Sequence, residues 1–132
     1  MPETYASAEV LAAVTQKIAD YMDAVDDGDF DRVADHLAEA VVVLPGGMTI
    51  TGRQTIRDGY EATQPVPDEM GRRRTKHHLS NVSVVELAPG RFSANSYYFI
   101  LGPGDGTPGV IKSGRYRHEF EDRDGRLVFL RH

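Results

Sequence analysis

The sequence predicts an α+β domain in which three helices cover one side of a curved, mostly antiparallel sheet. Three observations carry that expectation. Helix-period patterns fill the first half of the chain, interrupted by one short strand pair, Ala40 to Ile50. From Thr75 onward the residues are β-branched and aromatic, in runs broken by Pro89-Gly90 and Asp124-Gly125. Helices first and a strand meander afterwards segregate the two element types, which is the pattern of an α+β fold.

The first long helical stretch, Glu9 to Asp27, sets the frame. Val10, Leu11, Val14, Ile18, Tyr21, Met22 and Val25 recur at i, i+3, i+4 and i+7. At 100° per residue they span an arc of roughly 120°. Asp20, Asp23, Asp26 and Asp27 crowd the end of the stretch. Asp23 and Asp27 point nearly opposite the apolar arc. Asp26 stands one turn after Met22 and two after Ile18, at the edge of the buried face. A carboxylate there either snorkels past the core, as most helix carboxylates do, or faces a cavity that the core encloses. Ser7 is the candidate N-cap and Gly28 the stop.

Asp29 then caps a second, shorter helix with Phe30, Val33, Ala34 and Leu37 on its apolar side. Ala40 to Leu44 is β-branched and too short for a helix, so it reads as a buried strand. Pro45-Gly46-Gly47 turns it into a second strand, Met48 to Ile50. Thr51 and Gln54 have capping-box spacing, and a third helix follows with Ile56 and Tyr60 on one side. Residues 64–73 form a loop. Strands are expected over Thr75 to Glu86, Arg91 to Leu101, Val110 to Glu121 and Leu127 to Leu130, with Asp124-Gly125 a hairpin signal. Such a curved sheet under helices encloses a conical, mostly apolar pocket, suited to a small hydrophobic ligand.

Composition narrows the function classes. The chain of 132 residues is one domain by size, residues 1–132. Its net charge of −5 argues against a nucleic-acid partner. Without cysteine there is no disulfide framework, no thiolate nucleophile and no cysteine-held metal. The N-terminus lacks a signal-peptide pattern and no apolar run approaches membrane length, so the cytoplasm is the expected location and no membrane partner is expected.

The element order, with YMDAVDDGDFDRVADHL near the start, TGRQTIRDGY in the middle and TKHHLSNVSV opening the meander, resembles the SnoaL-like branch of the nuclear-transport-factor-two-like superfamily. The resemblance covers roughly residues 8–131 and implies a cone of three helices and a curved sheet, the cystatin-like α+β barrel. That fold hosts dehydratases, isomerases, cyclases, hydrolases and non-catalytic subunits, so it does not choose a substrate. Ketosteroid isomerases are similar across Lys17 to Tyr60, and their oxyanion-holding tyrosine falls on Tyr21. Their general-base aspartate falls on Leu44, and a leucine cannot abstract a proton. The site pattern more closely resembles scytalone dehydratase and bile acid 7α-dehydratase. Their catalytic aspartate falls on Asp26, their catalytic histidine on His77, and the pocket tyrosine of the bile acid enzyme on Tyr21.

Those residues imply a specific chemistry. A carboxylate fixes the tautomer of an imidazole and stabilises its charged form, so the ring can exchange protons near neutral pH. Eliminating water beside a carbonyl requires a base at the α-carbon and an acid at the leaving hydroxyl, and one histidine can serve both in turn. A tyrosine hydroxyl aimed at the carbonyl would stabilise the enolate. That chemistry is expected to need no metal and no cofactor; no H-x-x-x-H or similar pair suggests a metal site, and His77 and His78 on one strand cannot easily chelate one ion. Asp26, His77 and Tyr21 are thus the candidate catalytic residues, and His78, Tyr116, His118, Leu44 and Tyr60 the candidate substrate-binding ones.

Each histidine has a second reading. His77 and His78 are neighbours on a strand, so only one can line the cone. The resemblance selects His77, on a face shared with Leu79 and Asn81, and a bulge would select His78 instead. His118 shares a face with Tyr116 and Phe120 and is either a second pocket group or core filling. His36 and His132 read as exposed. The basic run Arg72-Arg73-Arg74 with Lys76 either attracts an anionic substrate or is a solvated loop. The stretch 102–109 has four glycines and two prolines but opens no helix, so it is no phosphate loop.

Three function classes follow. The first is a small lyase or isomerase acting on a hydrophobic cyclic compound, polyketide-like or steroid-like. The second is a non-catalytic β subunit of a ring-hydroxylating dioxygenase, whose histidine-bearing strand RTKHHLSNV resembles. The third is a ligand-binding protein of the same fold. Tyr97, Tyr98 and Phe99 on a partly exposed sheet further predict a homodimer or higher homo-oligomer.

Overall fold

Ser7 starts the first helix by accepting a hydrogen bond from the Val10 amide at 3.2 Å, which satisfies one of the orphan amides of the first turn. The computed structural model describes residues 4–64, 75–102 and 109–132, so the run Arg72-Arg73-Arg74 and most of the glycine-rich stretch lie outside the described residues. Helix α1 spans Ala8–Asp26, and Gly28 at φ 70° turns the chain out of it. Asp29 caps α2, Phe30–Leu37, by accepting from the Arg32 amide at 3.1 Å. Strands β1, Val42–Val43, and β2, Thr49–Ile50, form the short hairpin, and α3 spans Arg53–Thr63. The cap of α3 is Gly52 at φ 92°, with no side-chain cap bond. The expected Thr51–Gln54 capping box does not form, because a backbone at that φ is open to glycine and not to threonine.

The meander consists of β3, Lys76–Ala88, β4, Arg91–Gly102, β5, Gly109–Arg123, and β6, Arg126–Arg131, antiparallel in the order β3-β4-β5-β6. Short segments cover both of its outer strands. The Ala6 amide donates to the Val84 carbonyl at 3.0 Å along β3. On the far side Val41 runs parallel to Arg131, and the Val43 amide donates to the His132 carbonyl at 2.8 Å. Three helices on a curved antiparallel sheet give the α+β cone.

One face of α1, through Val14, Ile18 and Val25, packs with Leu37 of α2 and with Phe120 and Phe129 of the sheet. All of these are fully or nearly fully buried. On β4 the alternation puts Phe92, Ala94, Ser96 and Tyr98 inside, leaving Tyr97 and Phe99 on the outer face. Tyr98 therefore belongs to the interior rather than to an exposed aromatic patch.

Strand β3 carries an extra residue. Its register with β4 shifts between Ser80 and Ser83, where Asn81 sits at φ 55°. Before the bulge the inward residues are His77 and Leu79, and after it they are Val82 and Val84. Asn81 thus leaves the face it was expected to share with His77, because one inserted residue reverses the pleat. No helix among the described residues is long and apolar enough to cross a membrane.

Candidate active site

The last turn of α1 and the first residues of β3 meet at Asp26. Its Oδ1 accepts from the His77 ring nitrogen Nδ1 at 2.6 Å and from the Thr75 hydroxyl at 3.1 Å. Its Oδ2 accepts from the His77 backbone amide at 2.7 Å. The carboxylate is neither in bulk solvent nor in the core, with 18% of its side chain exposed, and the His77 side chain is 8% exposed. Burial raises the carboxyl pKa. Hydrogen bonds from the His77 ring and amide, the His77 charge and the Thr75 hydroxyl outweigh it, and the net pKa lies below the usual carboxylate value. Asp26 is therefore ionised at neutral pH. An ionised carboxylate must accept, so the Nδ1 of His77 carries the proton and Nε2 is the basic atom.

His77 lines a cavity of about 1270 Å³, enclosed by α1, α3, the β1–β2 hairpin and the inner face of β4 and β5. Val25, Val42, Leu44, Ile50, Tyr98 and Ile100 make much of its wall apolar. Tyr21, on α1 five residues before Asp26, presents its hydroxyl to the same cavity. That hydroxyl hydrogen-bonds the Tyr60 hydroxyl of α3 and lies 3.1 Å from His132 Nε2. Burial first, then the neighbouring Tyr60 and Tyr116, push the Tyr21 pKa well above its ordinary value, so the hydroxyl stays protonated and able to donate. Tyr116 stacks on Tyr98 at 4.4 Å and is likewise held neutral by burial.

The cavity therefore brings together Tyr21, His77, Leu44, Tyr60 and Tyr116, with Asp26 behind His77. It does not bring in the other two candidate binding residues. His78 points to the outer sheet face and stacks on Phe99 at 4.6 Å, as alternation next to an inward His77 requires. His118 lies beneath the cavity wall, 1% exposed, packed against Phe120 and Phe129.

His132 is the site residue that sequence reasoning missed. Instead of being exposed, its ring lines the cavity, and its Nδ1 is 2.8 Å from His118 Nε2. Burial lowers the His132 pKa to about 4 and takes that of His118 well below its ordinary value. Both rings are neutral at pH 7. A chain of polar groups thus runs from Tyr60 through Tyr21 and His132 to His118, whose Nδ1 is buried without a hydrogen-bond partner among the described residues. The hairpin alone does not signal it: a register shift between Glu119 and Phe120 is what sets residue 132 beside residue 118.

Among the described residues no three His, Asp or Glu side chains converge as a metal ion would require. The arrangement has one basic nitrogen fixed by a carboxylate and a neutral phenol held by a second polar chain. Both face one apolar chamber, so the site can move a proton at carbon and donate to an oxygen.

A family model described as the SnoaL-like domain matches residues 6–131. Aln2 from a Streptomyces species superimposes with a TM-score of 0.80 at 24% identity, covering 97% of this chain and 91% of that one. ActVI-ORFA from Streptomyces coelicolor gives 0.78 at 18% identity, covering 94% of each chain. A Novosphingobium aromaticivorans protein described as a candidate scytalone dehydratase gives 0.73 at 18% identity, covering 93% of this chain and 80% of that one. No curated protein matches the sequence.

Proposed function

The chain belongs to the SnoaL-like domain family of the nuclear-transport-factor-two-like superfamily, and we propose that it is a cofactor-free lyase or isomerase acting on a small cyclic compound. The observation that carries this reading is the Asp26–His77 pair at the wall of an apolar cavity that also receives the Tyr21 hydroxyl. The scytalone dehydratase description of one structural neighbour agrees with it. In the reaction proposed, His77 Nε2 removes a proton from the carbon beside a substrate carbonyl. The electron pair moves onto the carbonyl oxygen, where the Tyr21 hydroxyl donates to the developing enolate. The imidazolium, stabilised by Asp26, then returns its proton to the hydroxyl on the β-carbon, and water leaves as the double bond forms. Returning the proton to a different carbon instead gives isomerisation by the same groups.

The apolar wall strengthens each of these interactions by excluding water. In the same proposal the protein works as a homo-oligomer, associating through an outer sheet face that carries His78, Phe99 and the exposed Tyr97.

The test is a screen of cyclic β-hydroxy carbonyl compounds for loss of water, run on wild type and on His77→Ala, Asp26→Asn and Tyr21→Phe. Turnover that collapses in His77→Ala supports the proposal. An active substrate that His77→Ala and Asp26→Asn both turn over at the wild-type rate would overturn it. Ligands that bind without ever being converted would move the assignment to a binding protein.

A further inference from the structure

Behind Tyr21 stand two imidazoles that the proposed reaction does not use. His132 lines the cavity, and His118 lies beneath its wall, 1% exposed. The backbone of His132 is held on both sides, which fixes where its ring can point. Its amide donates to the Val41 carbonyl at 3.0 Å, and its carbonyl accepts from the Val43 amide at 2.8 Å. The two ring planes are 20° apart and the centroids 5.0 Å, far enough for the nitrogens to meet edge to edge.

Proton counting gives this chain a direction. Burial disfavours the charged form of both rings, so each carries a single ring proton. One proton belongs in the 2.8 Å gap between His118 Nε2 and His132 Nδ1, and one in the 3.1 Å gap between His132 Nε2 and the Tyr21 oxygen. A neutral His132 supplies only one of the two, so a choice at either gap fixes both. In one arrangement Tyr21 donates to His132, His132 donates to His118, and the His118 proton sits on Nδ1. That nitrogen is buried without a hydrogen-bond partner among the described residues. A buried N–H with no acceptor is rare and costly. In the other arrangement His118 donates to His132, and His132 donates to Tyr21. Every ring N–H of the chain is then paired, and only a lone pair on His118 goes unused.

We propose that His118 and His132 are positioning residues that take the second arrangement, so that the Tyr21 oxygen receives a hydrogen bond and its proton is left for an oxygen of the substrate. The Tyr60 hydroxyl can both give and take, so its bond to Tyr21 does not commit that proton. The proposal rests on the reading of Tyr21 as the donor to the enolate, and it adds the two residues that keep Tyr21 a donor. As Tyr21 shares its proton with the enolate, its own oxygen gains negative charge. The bond from His132 Nε2–H then strengthens, which favours the charged state over the ground state.

The experiment reads the ring protons directly and turnover separately. Long-range proton–nitrogen correlation spectra of isotope-labelled wild type near neutral pH identify the tautomer of each histidine. Nε2–H on both His118 and His132 is expected, and Nδ1–H on either one overturns the proposal. These spectra need no variant, so they decide the matter even if a substituted protein does not fold. On the substrate found by the screen, His132→Leu should lower kcat about tenfold with KM little changed. His132→Gln, whose amide can still donate to Tyr21, should recover most of that loss. In a Tyr21→Phe background His132→Leu should cost nothing further. Equal losses in the Leu and Gln variants, or an undiminished loss without the Tyr21 hydroxyl, reduce His132 to packing and overturn the proposal. The expected tautomers in a protein that dehydrates nothing uphold the chain and sink the lyase reading. Turnover that collapses in His77→Ala but ignores His132→Leu does the reverse.

Discussion

Asp26 holds His77 at two points, taking the ring Nδ1–H at 2.6 Å on one oxygen and the backbone amide at 2.7 Å on the other. The ring bond sets the tautomer, and the backbone bond fixes where β3 begins relative to the end of α1. Asp26→Asn offers one oxygen and an amide NH₂ in place of two acceptors, so one of those donors loses its partner. The proposed reaction should then slow on the order of 10²-fold in Asp26→Asn and 10² to 10⁴-fold in His77→Ala. KM should change less than kcat in both, as steady-state kinetics on the screened substrate would read.

The same carboxylate makes stability depend on pH. Its pKa in the folded protein lies below 3.8, the value for the free group. The contribution is therefore complete above that value and is lost as the pH falls through it towards the folded pKa. Urea unfolding of wild type and Asp26→Asn should show a stability gap at pH 7 that narrows below pH 3.8. A gap that stays constant down to strongly acid pH would show that Asp26 acts only through packing.

A second window lies above the first. His132 titrates near 4 in the fold against 6.5 when free, and burial lowers His118 as well. A histidine depressed on folding contributes fully above 6.5 and loses that contribution as acidification reaches its folded pKa. Wild type should therefore lose stability between pH 6.5 and 4, on the order of 2 kcal/mol with the ring partly open to the cavity. His132→Asn should make that stretch of the profile shallower, with the remainder due to His118, and leave the acid limb of Asp26 in place.

Gly114 tests the aromatic wall. A Cβ at this position would come within 2.8 Å of the Tyr98 hydroxyl and 2.9 Å of its ring carbons. Since Tyr98 is stacked on Tyr116, Gly114→Ala must push the phenol off its partner. We expect a stability loss on the order of 1 kcal/mol, together with weakened binding of ring-shaped ligands. Thermal melts and a fluorescence titration with a naphthalene derivative separate the two effects.

Sedimentation at micromolar concentration should show a homo-oligomer, and Tyr97→Glu on the outer face should shift it towards the monomer. A monomeric wild type ends that part of the proposal.

Much of this was legible in the sequence because it depends on periodicity. The 3.6-residue recurrence of Val14, Ile18 and Val25 fixes the buried side of α1, and with it the marginal position of Asp26. The 2-residue alternation fixes that His77 and His78 face opposite ways, though not which faces in. What was illegible depends on events of one residue. Counted straight back from the Asp124-Gly125 turn, residue 132 would oppose Arg117. The register shift between Glu119 and Phe120 sets it beside His118 instead, and that shift creates the Tyr21–His132–His118 chain. The cap of α3 was misplaced for a similar reason, since the φ of 92° at Gly52 has no period to betray it. Which cations are paired is equally hidden, because pairing is decided by distant partners such as Arg123 with Glu39.

The extra residue at Asn81 divides β3 into two halves of opposite parity. In the first half odd-numbered positions look inward, among them His77, and in the second half even-numbered ones do, among them Val84 in the core. Counting back from Val84 without the bulge would bring His78 into the chamber and turn His77 outside, away from Asp26. The choice between two neighbouring imidazoles is thus made at a third residue, one that takes a left-handed backbone more readily than most. Removing that residue outright would leave the choice intact, because a regular pleat then carries His77, Leu79, Val82 and Val84 on one face. Replacing it with valine, which resists φ 55°, would instead press the strand to absorb its surplus by slipping, and a slip of one exchanges the two rings.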